Sequence, residues 1–162
     1  TITSRAASVT PEVRMIRKWE TKEIGPLLAL WLESTIHAHP FIKEAYWHES
    51  VAVVRDVYLP AASTWVWEED GEIKGFISVL ESRFVGALFV APTALRRGIG
   101  RALVDEVKRH YAWLSLEVYQ KNVQAVNFYH AQGFRIEDCA WQDDTLQPTW
   151  IMRWPVDQTP LT

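Results

Sequence analysis

Two arginines, a Gly-x-Gly and an amphipathic helix follow one another in mid-chain, as Arg96-Arg97-Gly98-Ile99-Gly100-Arg101-Ala102. An apolar run, Ala87 to Val90, leads into them through a break at Pro92. The pattern places free backbone N–H groups at a helix start. The first amides of a helix lack internal partners, and the macrodipole adds positive partial charge there. Glycine lets an anion approach the backbone, and arginine matches phosphate geometry. The arrangement suits a pyrophosphate. Positive side chains at a helix N-terminus otherwise cost ~0.3–1 kcal/mol, so a bound anion gives them a use. A Gly-x-Gly alone is equally an ordinary tight helix entry.

Two familiar phosphate loops do not fit. A Walker loop needs Lys and then Ser or Thr after its last glycine, but Gly100 is followed by Arg101-Ala102. A dinucleotide fingerprint needs a third glycine near Leu103, where leucine is too large for the close packing.

Other residues can do chemistry. Glu117 stands in an apolar strand, Leu116-Glu117-Val118, where a carboxylate loses solvation and moves toward use as a base. A glutamate on the exposed face of a strand reads equally well; Glu81 and Glu33 are weaker alternatives. Tyr129 on a short helix reads, by itself, as a core aromatic. Asn122 is a natural N-cap for that helix. His37 and His39 are two apart beside Pro40, poor spacing for a metal, and read as solvent-facing or pocket-lining; no metal site is expected. Cys139, the single cysteine, allows no internal disulfide, which fits a reducing cytoplasm. It reads as a small buried apolar side chain.

The elements that position these groups follow from periodicity. Val13 to Trp19 reads as a strand, with Thr21 as N-cap of a helix carrying Ile24, Leu27, Leu28, Trp31 and Leu32 at helical spacing. A second helix spans Ile42 to Tyr58 and ends at Pro60. Thr64 to Glu68 and Ile73 to Glu81 form a hairpin about Asp70-Gly71. Arg83 to Ala91, Trp113 to Tyr119, Phe134 to Ala140 and Trp150 to Trp154 are further strands, the last two joined by a loop from Trp141 to Thr149. Helices start at Arg97 and at Val123, and Gly133 closes the last in a left-handed cap.

At 162 residues and 48% hydrophobic content, with no long apolar stretch, the chain describes one globular domain, neither disordered nor membrane-spanning. A net charge of −3 argues against nucleic acid as a partner, because such binding rests on neutralising phosphates. It suits a cationic amine. Residues 1–14 are polar and read as a disordered or vector-derived extension, 15–156 as the domain and 157–162 as a tail.

The loop from Leu95 to Gly100 resembles the acetyl-CoA loop of the GCN5-related N-acetyltransferases, Gln/Arg-x-x-Gly-x-Gly/Ala, with Leu95 departing at the first position. The resemblance continues through Leu116-Glu117-Val118 and through Asn122-Val123-Gln124-Ala125-Val126-Asn127-Phe128-Tyr129, which matches Asn-x-x-Ala-x-x-x-Tyr. It covers roughly Met15 to Pro155. Phe41-Ile42-Lys43, Tyr119-Gln120-Lys121-Asn122 and Ala140-Trp141-Gln142-Asp143 look more specifically like the bacterial YiaC group of that family.

The resemblance implies an α/β fold: a central, mixed, mostly antiparallel twisted sheet with a splayed parallel strand pair, flanked by about four helices. It implies acetyl-CoA as donor, with Leu88, Phe89 and Val90 along the pantetheine arm and Arg96, Arg97, Gly98, Ile99, Gly100, Arg101 and Ala102 around the pyrophosphate. Asn122 adds a contact to the arm. Tyr129 becomes the general acid: a phenol, pKa about 10, can protonate a thiolate whose thiol titrates near 8.5. Glu117 becomes the general base, directly or through water. Phe41, Phe84, Trp141, Asp143 and Asp144 border the acceptor side, with the two aspartates steering a cation. Direct transfer to peptidyl lysine is the implied activity, with a protein α-amine or a small amine as alternative acceptors and a non-catalytic acyl-CoA-binding module as the rival class. A monomer or homodimer in the cytoplasm, without membrane contact, completes the expectation.

Overall fold

The computed structural model describes residues 13–156; residues 1–12 and 157–162, with the extension and tail expected there, lie outside the described residues. Strand β1 (Arg14–Lys18) begins at the last residue of the segment expected to precede the domain. It pairs antiparallel with β2 (Ala62–Glu69), β2 with β3 (Glu72–Leu80), and β3 with β4 (Val85–Val90), in the order β1-β2-β3-β4. The β2–β3 turn has both Asp70 (φ 51°) and Gly71 (φ 82°) left-handed, the twist a two-residue hairpin needs. A second sheet, in the order β5-β7-β6, contains β5 (Leu114–Tyr119), β6 (Arg135–Gln142) and β7 (Gln147–Trp154), all antiparallel.

The two sheets meet along β4 and β5, which run parallel. Their junction is a single bridge, Phe84 to Ser115, where the Ser115 N–H donates to the Arg83 carbonyl at 3.0 Å. Beyond it the strands separate without a ladder. The splayed pair is therefore present, and it divides the sheet in two.

Four helices flank this frame. In α1 (Ile24–Ala38), Leu27, Leu30, Trp31, Ser34 and Thr35 are buried, the i, i+3, i+4, i+7, i+8 stripe of one face. Helix α2 (Glu44–Val53) runs on through a π-turn, Val54–Tyr58, and a last turn, Leu59–Ala61. It passes Pro60 by one residue and ends at Ala61, before the extended Ala62. Helix α3 (Ile99–Lys108) buries Ile99, Leu103, Val104 and Val107. Gly75 of β3 lies under it: an added Cβ would come within 3.0 Å of Ile99 and 3.3 Å of Leu103. Helix α4 (Val123–Ala131) is capped by Asn122, whose side chain accepts from the Ala125 N–H at 3.2 Å. Gly133, at φ 95°, turns the chain out of it, with the Phe134 N–H donating to the Tyr129 carbonyl at 3.0 Å.

Three sequence expectations change. A 3₁₀ turn, Thr21–Glu23, leads into α1 and is capped by Glu20, so Thr21 is not the cap: the Glu23 carboxylate reaches back to the Glu20 N–H at 2.8 Å and is itself held by Arg17 at 2.7 Å. The loop expected from Trp141 to Thr149 is mostly strand, leaving a turn of Asp143 to Leu146, with Leu146 left-handed at φ 54°. Cys139 is exposed, not buried, because β6 is the outer strand of its sheet and shows solvent most of its length.

Candidate active site

The gap between β4 and β5 opens into a cavity of about 1330 Å³. A site for one drug-sized ligand is roughly 300–1,000 Å³, so there is room for two reactants. One wall is the free edge of β4. Leu88, Phe89 and Val90 line the cavity, and their backbone pairs with β3 on one side only. A bulge sets this edge: Ser78 pairs with Ala87 and Val79 with Val85, leaving Gly86 without a counterpart. A bulge bends its strand and re-aims the groups beside it. An extended chain carrying amides can add to such an edge as a strand would.

The loop after β4 makes the cavity's floor at one end. After the 3₁₀ turn Pro92–Ala94, Leu95 is extended, Arg96 is left-handed at φ 65° and Gly98 is left-handed at φ 82°. A left-handed arginine is strained by ~1–3 kcal/mol, a cost that concentrates at functional positions. The first helical bond of α3 runs from the Ala102 N–H to the Gly98 carbonyl at 3.0 Å. The amides of Ile99, Gly100 and Arg101 therefore precede any internal partner, and all three residues line the cavity with Arg96 and Gly98. This cradle fits a pyrophosphate. Two members of the expected set stand apart: Ala102 lies one step along the helix, and Arg97 turns away to Glu69 at the end of β2, which also binds Arg14 Nε at 3.1 Å. Gly100 has a packing reason besides the one expected: a Cβ there would meet the Phe128 ring at 3.3 Å.

Opposite the cradle, α4 presents Asn122, Phe128 and Tyr129 to the cavity. Tyr129 packs against Phe128 and Phe134, with ring centroids 5.3 and 5.6 Å away. No side chain among the described residues bonds its hydroxyl, and burial pushes its pKa well above the usual tyrosine value. The phenol is therefore protonated at neutral pH. Glu117, on the open face of β5, also lines the cavity. Gln142 donates to its Oε1 at 2.6 Å and Thr149 to its Oε2 at 2.7 Å. Both donors come from the β6–β7 hairpin, so a partner 32 residues away holds the carboxylate.

Of the residues expected on the acceptor side, Phe41, Phe84 and Asp144 line the cavity; Trp141 and Asp143 do not, and Trp141 is 55% exposed. The structure adds an aromatic group that sequence reasoning did not assemble. Phe41 and Tyr119 meet edge to face at 5.6 Å, Tyr46 and Trp47 at 4.9 Å, and His39 lies among them. The adjacency of His39-Pro40-Phe41 to a helix end was the only signal. Among the described residues no three His, Cys, Asp or Glu side chains group as a metal site, and no helix is long and apolar enough to cross a membrane.

A sheet split at a bulged strand, with free helix-start amides and a buried phenol lining the split, is the layout of an enzyme of acyl transfer from a coenzyme A thioester. The chain belongs to the Acetyltransferase (GNAT) family, whose model matches residues 24–134, and is an acetyl-CoA-dependent N-acetyltransferase. It is 59% identical over 145 residues to the peptidyl-lysine N-acetyltransferase YiaC of Escherichia coli K12, covering 90% of this chain and 99% of that one. It is 32% identical over 133 residues to the peptidyl-lysine N-acetyltransferase YjaB of Salmonella typhimurium, covering 82% and 91%. The solution structure of apo YjaB from Escherichia coli superimposes with a TM-score of 0.76 at 30% identity, over 88% of this chain and 97% of that one.

Proposed function

We propose that the chain acetylates the ε-amine of lysine in proteins or peptides. The observation that carries this reading is the lining of the cavity: one space joins the Arg96–Arg101 loop, the free edge of β4, Tyr129 and the aromatic group of Phe41, Tyr46, Trp47 and Tyr119, with Asp144 near Tyr46 and Tyr119. Aromatic rings pack the methylenes of a lysine stem and attract a cation over their faces. A carboxylate in that lining favours a positive acceptor. The 59% identity to an enzyme named for peptidyl lysine supports the same class.

Acetyl-CoA supplies the acetyl group as a thioester. Arg96, Arg101 and the first amides of α3 hold its phosphates, and the edge of β4 orders its amide arm. Tyr129 gives its phenolic proton to the leaving sulfur. Glu117, a carboxylate fixed by Gln142 and Thr149, is the anion in the gap and attracts the cationic nitrogen.

Release of free thiol from acetyl-CoA tests the reading across three acceptor sets: lysine peptides with blocked N-termini, free-N-terminal peptides without lysine, and small amines. Turnover greatest on the first set is expected. Turnover confined to either of the others overturns the lysine assignment.

A further inference from the structure

We propose that His39 is the base of this reaction, receiving the acceptor's proton on Nε2. The inference rests on the lysine reading above.

His39 ends α1 and reaches across the split. Its ring touches Phe89 of β4 at 6.5 Å and Tyr119 of β5 at 5.2 Å, centroid to centroid, while Trp47 and Phe41 pack on it at 5.1 and 5.7 Å. It is 7% exposed and lines the cavity. Nδ1 lies 2.7 Å from the Thr35 carbonyl oxygen, with the Thr35 hydroxyl at 3.2 Å. A carbonyl only accepts, so Nδ1 carries the proton. In a neutral ring Nε2 is then a bare lone pair, and no described residue bonds it. Tautomer, ring plane and acceptor direction are fixed together. Glu117 differs, since each of its oxygens is already engaged.

The step balances as follows. An N–H bond of the ammonium breaks and its proton goes to Nε2. The freed lone pair forms the C–N bond at the thioester carbonyl, and the C–S bond breaks with its electrons on sulfur. Sulfur takes the Tyr129 proton, and the phenolate recovers one from the acylated nitrogen. His39 then releases its proton to solvent, so ammonium and thioester give amide, thiol and one proton. Burial pushes His39 below the usual histidine value, which keeps it neutral at rest and speeds that release. Tyr119 touches the ring; the other titratable or charged groups lining the same cavity are His37 of α1, Tyr46 and Glu49 of α2, Tyr58 of the π-turn, Arg96 and Arg101 of the loop and α3, Glu117 and Lys121 of β5 and its end, Tyr129 of α4 and Asp144 of the β6–β7 turn.

The test compares wild type, His39→Phe and His39→Gln on a lysine peptide at saturating acetyl-CoA, from about pH 6 to about pH 10. Phenylalanine keeps the ring contacts, and glutamine can accept a hydrogen bond but cannot hold a proton. Both variants should lose about 10²-fold in kcat near pH 7, the lower worth of a positioned base, and the loss should fall below about tenfold near pH 10, where free amine is abundant. Calorimetric affinity for acetyl-CoA should stay within about threefold of wild type. A loss independent of pH, full turnover in His39→Gln, or unimpaired His39→Phe overturns the proposal. In the wild type, diethyl pyrocarbonate should label His39, read by peptide mass mapping, and a lysine-peptide–coenzyme A conjugate should block the labelling. An unlabelled or unprotected His39 overturns the proposal whether or not the variants fold. A wild type inactive on every lysine peptide refutes the lysine reading instead.

Discussion

Arg97 and Glu69, 28 residues apart, form an ion pair that turns one arginine of the loop away from the cavity and ties the loop before α3 to the end of β2. Neighbouring arginines thus have different work. Arg96 and Arg101 line the cavity, while Arg97 braces the loop that presents them. Arg96→Ala should weaken acetyl-CoA binding about tenfold, the loss of one charged hydrogen-bonding group. Arg97→Ala should change affinity less than about threefold but lower the thermal midpoint. Calorimetric titration and thermal unfolding of both variants check the division.

The same pair gives a pH signature. Arg97 first, and then Arg14, hold the Glu69 carboxyl below its ordinary value, and Arg17 brings Glu23 down from 4.5 to about 2. A carboxylate lowered in the folded state stabilises it at pH values above the unfolded carboxylate's, and the benefit is lost as pH falls through the folded value. Midpoints of Glu69→Gln and Glu23→Gln should therefore lie below wild type at neutral pH. The gaps should begin to close below about pH 4.5 and be nearly gone near pH 2. Thermal unfolding over that range measures this.

The two glycines of the loop should fail differently. Gly98 sits at φ 82° with open space around its Cβ position, so Gly98→Ala meets a conformational penalty of about 1–2 kcal/mol and no clash. The loop should relax away from its left-handed form and acetyl-CoA affinity should drop. Gly100→Val instead pushes on Phe128, whose ring packs against Tyr129. It should lose affinity and also displace the acid, so the kcat that remains at saturating donor should fall. Steady-state kinetics with both substrates varied separates the cases.

Much of this site was readable because it is local. Arg96 to Gly100 announces a helix start within a few residues, and Asn122 caps α4 by accepting from an N–H only three residues on. The Asp70-Gly71 hairpin and the stripe of α1 follow from rules of the same range. What sequence did not reveal depends on register between distant strands. That Gln142 and Thr149 converge on Glu117 requires knowing that β7 lies between β5 and β6. Arg97 was indistinguishable from Arg96 until the end of β2 was placed beside it.

Tyr129→Phe should separate chemistry from binding. The ring stays packed on Phe128 and Phe134, and only a hydroxyl without a partner among the described residues is removed. Turnover should fall by roughly 10²–10⁴-fold, the worth of a positioned acid. Acetyl-CoA affinity should remain within about twofold, far inside the tenfold that 1.4 kcal/mol represents. Rapid-quench kinetics under single-turnover conditions measures the chemical step itself. Unchanged single-turnover rates would remove Tyr129 from the mechanism.

Glu117→Gln tests whether the carboxylate acts by its charge. The side chain keeps its length, and Gln142 can turn its amide to face either end of the new group. One of the two former donors, Gln142 or Thr149, then meets an amide nitrogen unless it turns, so some loss of stability is expected. The larger effect should be on the acceptor. Removing a fixed anion beside the entering ammonium forfeits a charge-assisted interaction of about 1.5–3 kcal/mol, or roughly 10–150-fold in KM for a lysine peptide. Acetyl-CoA binding should hardly change, because the cradle of α3 lies on the other side of the split. Salt provides the second readout. Wild-type KM for the peptide should rise with ionic strength, and the variant's should respond less, since the attraction being screened has gone. A variant with wild-type KM and wild-type salt dependence would assign the attraction of the acceptor to Asp144 alone.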